Sequence, residues 1–164
     1  MPLELALYQP DIPQNTGTML RLCACLGVRA SLIEPANFPV SDRAFRRAGL
    51  DYLDAVEIER HVSFAAFDLW RRNAGRRLVL LTTKGAIPYT GFSFKADDIL
   101  LAGRESAGVP DRVHAAADAG IVIPMRQGLR SINVAVAAAM VIGEALRQTA
   151  GFAQPDAALP PLDA

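Results

Sequence analysis

Ile99-Leu100-Leu101-Ala102-Gly103-Arg104-Glu105-Ser106-Ala107-Gly108-Val109-Pro110 is the stretch that decides the fold class. A short apolar run passes straight into a turn bounded by glycines, and the turn ends on a proline placed to open a helix. A second stretch repeats the design: Ala119-Gly120-Ile121-Val122-Ile123 leads into Pro124-Met125-Arg126-Gln127-Gly128-Leu129-Arg130-Ser131-Ile132-Asn133 and then a helical pattern. Strand, loop, helix, repeated, is the grammar of a parallel sheet, and such sheets hold ligands in the loops at the carboxyl ends of their strands. Two loops of this kind so close together predict one shared site.

The same alternation extends toward the N-terminus. The pattern predicts strands at 3–8, 29–33, 55–59, 78–82, 98–102 and 119–123, with helices over 16–26, 42–50, 64–72, 110–115 and 131–148. Residues 87–94, rich in Pro, Gly and aromatics, read as a loop. The expectation is an α/β fold with a mostly parallel six-stranded sheet flanked by helices. Residues 1–150 form one domain and 151–164, with Pro155, Pro160 and Pro161, a loosely ordered tail. The last helix is small and apolar nearly all round, Val134 to Ile142, and needs cover on more than one side. A central position under the sheet or a subunit interface would each supply it.

Composition excludes several classes. At 164 residues, 51% hydrophobic and 21% charged, the chain is of ordinary globular make-up. No basic start with an apolar core suggests a secretory signal, and the apolar run 134–142 is too short to span a membrane, so a cytoplasmic location is expected. Cys23 and Cys25, two apart in a helical pattern, face different directions and read as small apolar residues in the interior. The net charge of zero announces no nucleic acid, yet of 17 basic residues only Lys84 and Lys95 are lysines. Arginine suits phosphate and base recognition, and a GC-rich genome would supply it equally.

No Gly-x-Gly-x-x-Gly, phosphate-loop or Gly-x-Ser-x-Gly signature follows a strand, which argues against a dinucleotide dehydrogenase, a P-loop nucleotidase and a serine hydrolase. His61 and His114 have no ligand-type neighbours, predict surface positions and leave a metal enzyme unsupported. Three loop signatures remain: Asn15-Thr16-Gly17 through Arg21, Gly103 through Pro110, and Ser131-x-Asn133. Each has a structural reading as a cap or turn as well as a functional one.

Taken in order, the three resemble the motifs of the SPOUT methyltransferases, knotted enzymes that use S-adenosylmethionine to modify RNA. The resemblance covers about residues 3–150 and is nearest to small bacterial members that methylate the ribose 2′-hydroxyl of the tRNA wobble nucleotide, cytidine or 5-carboxymethylaminomethyluridine. Leu7-Tyr8-Gln9-Pro10-Asp11-Ile12-Pro13, Ile33-Glu34-Pro35, Arg46-Arg47-Ala48-Gly49-Leu50-Asp51-Tyr52 and Leu81-Thr82-Thr83-Lys84-Gly85 carry the narrower match. The chain departs from those relatives where Val134-Ala135 stands for Leu-Ser and Gly143 for Tyr.

The resemblance implies a C-terminal trefoil knot holding S-adenosylmethionine, with Leu81, Gly103, Ile123, Met125 and Ser131 as cofactor-binding residues and no metal. It implies a homodimer packed through the first and last helices, and a tRNA anticodon stem-loop as partner rather than a membrane. Asn15, Arg43, Arg46 and Arg130 are the substrate-binding candidates, with Arg47 beside them on a basic helix face. Arg21 is the catalytic candidate, reaching toward the partner's cofactor site. Family proposals make it the base. A guanidinium stays protonated, so holding the adjacent phosphate and stabilising the forming oxyanion is the physically easier role. Ribosomal RNA or another tRNA position as substrate, or a non-catalytic RNA-binding module of this fold, are the alternatives.

Overall fold

A computed structural model describes residues 2–38, 55–85 and 87–153. In chain order the strands are β1 (Glu4–Tyr8), β2 (Arg29–Ile33), β3 (Ile58–His61), β4 (Leu78–Leu81), β5 (Ile87–Pro88), β6 (Ile99–Ala102) and β7 (Ala119–Val122). The helices are α1 (Pro13–Leu26), α2 (Phe64–Asn73), α3 (Asp111–Ala116) and α4 (Val134–Thr149), with a 3₁₀ turn at Tyr89–Gly91. Among the described residues seven strands form one sheet in the order β3-β2-β1-β6-β4-β7-β5, every pairing parallel.

The pleat sorts the side chains. Leu5, Leu7, Val79 and Leu100 point to the face covered by α1 and α4, where they meet Met19, Leu20, Cys23, Ala138, Val141 and Ile142. Their neighbours Ala6, Tyr8, Leu78, Leu80, Ile99 and Leu101 point to the opposite face, against Phe64 and Phe67 of α2 and Val113 of α3. Apolar residues at every position of the central strands follow from this double cover. α4 buries Ala135, Ala138, Val141, Ile142, Ala145 and Leu146 but leaves Val136 and Met140 exposed, so its second apolar face stays on the surface.

Sequence expectation and structure differ at several points. The sheet has seven strands because the loop expected at 87–94 contains β5, a two-residue edge strand. Pro88 contributes no N–H to a ladder, which helps keep it short. The third strand begins at Ile58 rather than at 55, since its pairing with β2 starts at Ala30. The helix expected over 42–50 lies outside the described residues, as does the tail from 154. His61 is buried, not on the surface: it ends β3 facing α2, with its ring 5.2 Å from Phe67 and 5.0 Å from Trp70. Loss of solvent there pushes its pKa below the ordinary histidine value. Cys23 is in the core as expected, while Cys25 is exposed because two helix positions turn it away. No helix among the described residues is long and apolar enough to cross a membrane.

One connection matters for the site. β4 and β5 lie on either side of β7, so the segment joining them crosses over that strand's carboxyl end. The Thr82 N–H donates to the Ile121 carbonyl at 3.0 Å during the crossing. At Gly85 the approach is closer still, for a Cβ would stand 2.6 Å from the Ile121 carbonyl carbon.

Candidate active site

Register brings the working loops to one level. Leu81 pairs with Ala102 on one side and with Ile121 on the other, so β6, β4 and β7 end side by side. The loops that leave them, with the segment entering α4, enclose a cavity of about 470 Å³, within the usual range for small-molecule sites. Leu81, Gly103, Ile123, Met125 and Ser131 all line it, and so do Asn15 and Arg130.

The Gly103–Pro110 turn is held by its own backbone. Arg104 and Gly108 exchange N–H to carbonyl bonds of 2.9 and 2.8 Å, and Gly108 adopts φ +64, a left-handed value that glycine accepts readily. A Cβ on Gly103 would lie 2.9 Å from the Gly108 backbone. The first atoms such a substitution meets are therefore those of Gly108, so the glycine at 103 is needed for the turn itself.

Asn133, rather than Ser131, opens the last helix. Its side-chain oxygen accepts from the Ala135 and Val136 N–H groups at 2.9 and 3.4 Å, and its amide donates to the Asn15 side-chain oxygen at 3.0 Å. Ser131 stands exposed two residues ahead of that cap. Asn15 is not the cap of α1: Ile12 holds that position without a side-chain bond, Pro13 occupies the first turn, and Asn15 instead ties α1 to the start of α4. Arg21 is exposed on α1, about 9 Å along the axis from Asn15 at 1.5 Å per residue, and is not among the cavity's lining residues. Arg43 and Arg46 lie outside the described residues.

The profile of the SpoU rRNA Methylase family matches residues 2–143. The chain belongs to that family. A Beijerinckia indica protein named tRNA (cytidine(34)-2'-O)-methyltransferase is 71% identical over 150 residues, which cover 92% of this chain and 94% of that protein. A solved structure described as giving insights into the 2-OH methylation of C/U34 on tRNA superposes with a TM-score of 0.84 at 42% identity, covering 89% of this chain and 95% of the other. An AdoMet-bound rRNA methyltransferase from Sinorhizobium meliloti has a TM-score of 0.83 at 28% identity, covering 89% of this chain and 56% of that one.

Within this SpoU chain, Glu105 of the cavity wall has a charged partner that its motif does not reveal. Asp11, in the loop after β1, and Glu105, in the turn after β6, are joined reciprocally. The Asp11 N–H donates to Glu105 Oε2 at 3.2 Å and the Glu105 N–H donates to Asp11 Oδ1 at 3.1 Å. The Ser106 hydroxyl also donates to Asp11 Oδ2, and Arg104 Nε stands 3.7 Å from that same oxygen. The Glu105 side chain, the Ser106 hydroxyl, the Glu105 N–H and the Arg104 charge hold the Asp11 carboxyl at about 2, against the opposing pull of burial. Burial first, and then the bond to Asp11, push the Glu105 carboxyl up, against backbone N–H groups and the Asn15 side chain that pull it down. Both residues were present in the quoted motifs, but their pairing spans 94 positions and leaves no periodic trace.

Proposed function

We propose that this chain is an S-adenosylmethionine-dependent RNA methyltransferase that methylates the ribose 2′-hydroxyl of the tRNA wobble nucleotide. The observation carrying this reading is the convergence of Leu81, Gly103, Ile123, Met125 and Ser131 on one cavity at the carboxyl ends of three adjacent strands. The near full-length likeness to a 71% identical protein named for that reaction supports the substrate.

The cavity's chemistry fits the methyl donor. Leu81, Ile121, Ile123 and Val134 give an apolar bed for an adenine ring, while backbone groups of the turns and the Thr82 and Thr83 side chains offer polar partners. When bound, S-adenosylmethionine supplies an already electrophilic sulfonium methyl. The protein's share is to align the ribose oxygen with that methyl, which can lower the barrier by several kcal/mol. In this reading Asn15 and Arg130, at the cavity wall, face the substrate, and Arg43 and Arg46, outside the described residues, contact tRNA phosphates. Arg21 of one protomer serves the other's cavity, holding the adjacent phosphate and stabilising the forming oxyanion.

A homodimer supplies that geometry. α1 and α4 pack side by side, and Val136 and Met140 of α4 are apolar side chains left exposed for a second copy to cover. The crossing of the 82–85 segment over β7 supports a trefoil knot in this part of the chain.

Mass spectrometry of tRNA nucleosides from a deletion strain tests the reading. Loss of the wobble 2′-O-methyl mark, restored by the wild-type gene, is the expected result. An intact wobble mark, or a missing mark in ribosomal RNA instead, overturns it.

A further inference from the structure

Methylation of a ribose 2′-hydroxyl requires a destination for its proton. A 2′-hydroxyl becomes an effective nucleophile as its proton is withdrawn. Among the described residues lining the cavity, the titratable side chains are Arg104, Glu105 and Arg130. Two are guanidiniums, which have no acceptor and do not deprotonate in proteins. Glu105 is the remaining one.

Its two carboxylate oxygens differ. Oε2 is occupied by the Asp11 N–H at 3.2 Å. Oε1 is buried and has no hydrogen-bond partner. A buried carboxylate oxygen without a donor is unfavourable by about 1–3 kcal/mol or more, and such atoms persist where a function needs them. The surroundings keep that oxygen in place: the reciprocal bonds with Asp11 fix the 103–108 turn against the loop after β1, and Asn15, tied to Asn133, completes the adjoining wall.

We propose that Glu105 is the acceptor of the ribose 2′-hydroxyl proton and that Asp11 is the positioning residue that sets its orientation and basicity. This rests on the methyltransferase reading above. The 2′-O–H bond breaks and its proton passes to Glu105 Oε1, directly or through one water. The ribose O–CH₃ bond forms as the donor's S–CH₃ bond breaks. The positive sulfonium and negative carboxylate become a neutral thioether and a neutral carboxylic acid, and the acid returns its proton to water on product release.

The groups facing Glu105 favour this. Burial first and then Asp11, from the loop after β1, oppose its ionisation; backbone N–H groups and the Asn15 side chain favour it, and Arg104 in its own turn and Arg130 at the same cavity are the cations of the site. A carboxyl raised in this way lies nearer the working pH, where a general base is most effective.

Single-turnover methylation of tRNA across pH, with S-adenosylmethionine binding followed by calorimetry, tests the assignment on Glu105→Gln and Asp11→Asn. In the wild type the rate should climb as Glu105 ionises. Glu105→Gln should slow methylation by at least about 100-fold, remove that acid limb and keep donor affinity within a few fold. Asp11→Asn should move the limb to lower pH, because loss of the anionic neighbour lowers the Glu105 pKa. The ¹³C resonance of the Glu105 carboxyl, identified by its absence in Glu105→Gln, should shift its titration in the same direction, a readout independent of turnover. An Asp11→Asn profile and titration that coincide with the wild type overturn the proposal even if Glu105→Gln fails to fold. A Glu105→Gln enzyme that keeps its rate or its acid limb, or that slows only because donor binding is lost, also overturns it. A wild-type enzyme that binds no donor and methylates no tRNA sinks the function reading itself; an active wild type with an active Glu105→Gln sinks only the proton acceptor.

Discussion

The two ends of the same strands handle polar groups in opposite ways. At the amino ends the charges are paired with one another, and Glu4, Arg71, Arg76 and Asp98 are buried. Glu4 at the start of β1 pairs with Arg76, whose guanidinium also donates to the Pro2 and Asp97 carbonyls at 2.9 and 3.0 Å. Arg77 grips Asp98 with two bonds of 2.8 and 2.7 Å, and Arg71 bonds Asp118 at 2.9 Å and the Ala116 carbonyl at 2.7 Å. At the carboxyl ends the loops enclose a cavity, and both Arg104 Nε and Glu105 Oε1 are buried without a hydrogen-bond partner. One end spends its charges on the fold; the other keeps donors and acceptors for something that binds.

Four substitutions should break or sharpen that contrast. Arg76→Ala strands the Glu4 carboxylate in the core and should lower the unfolding free energy by about 3–5 kcal/mol in a urea titration, with donor affinity of the folded fraction kept. A loss below about 1 kcal/mol would mean that the amino-end pair is not structural in the sense argued. Gly85→Ala places a methyl 2.6 Å from the backbone of Ile121, and backbone yields less easily than a side-chain tip. It should destabilise by about 1–3 kcal/mol and weaken S-adenosylmethionine binding in calorimetry, because the displaced loop is cavity wall. Asn133→Ala removes the α4 cap and the bond to Asn15. About 1 kcal/mol of stability should be lost, and methylation should fall by more than that loss explains; equal losses would make Asn133 only a cap. Gly143→Ala is the smallest effect. A methyl there meets nothing within 4 Å, so thermal unfolding should show a gain of about 0.5–1 kcal/mol. A net loss would point to a second copy packed against that position.

The contrast also explains what could be read in the sequence. The central strands were legible because residues such as 78–81 and 99–102 are apolar at every position, as burial on both faces requires. β5 was not legible, being two residues long and half proline. His61 was misread as a surface residue because only the packing of β3 against α2 places Phe67 and Trp70 around it. The cavity's five cofactor candidates came from the resemblance to a known family; Arg21 is not among its lining residues, and Arg43 and Arg46 lie outside the described residues.

Sequence by itself determined the alternation of strands and helices, the parallel double-covered sheet, and which turns sit at strand ends, because these depend on periodicity and on the conformational freedom of glycine within a few residues. Tertiary structure decided the rest. It set the level register of β4, β6 and β7, the passage of the 82–85 segment over β7, and the pairing of Asp11 with Glu105 across 94 positions. Contacts of that range are fixed by how the sheet orders its strands, and a polar atom's partner, or its lack of one, exists only once that order is made.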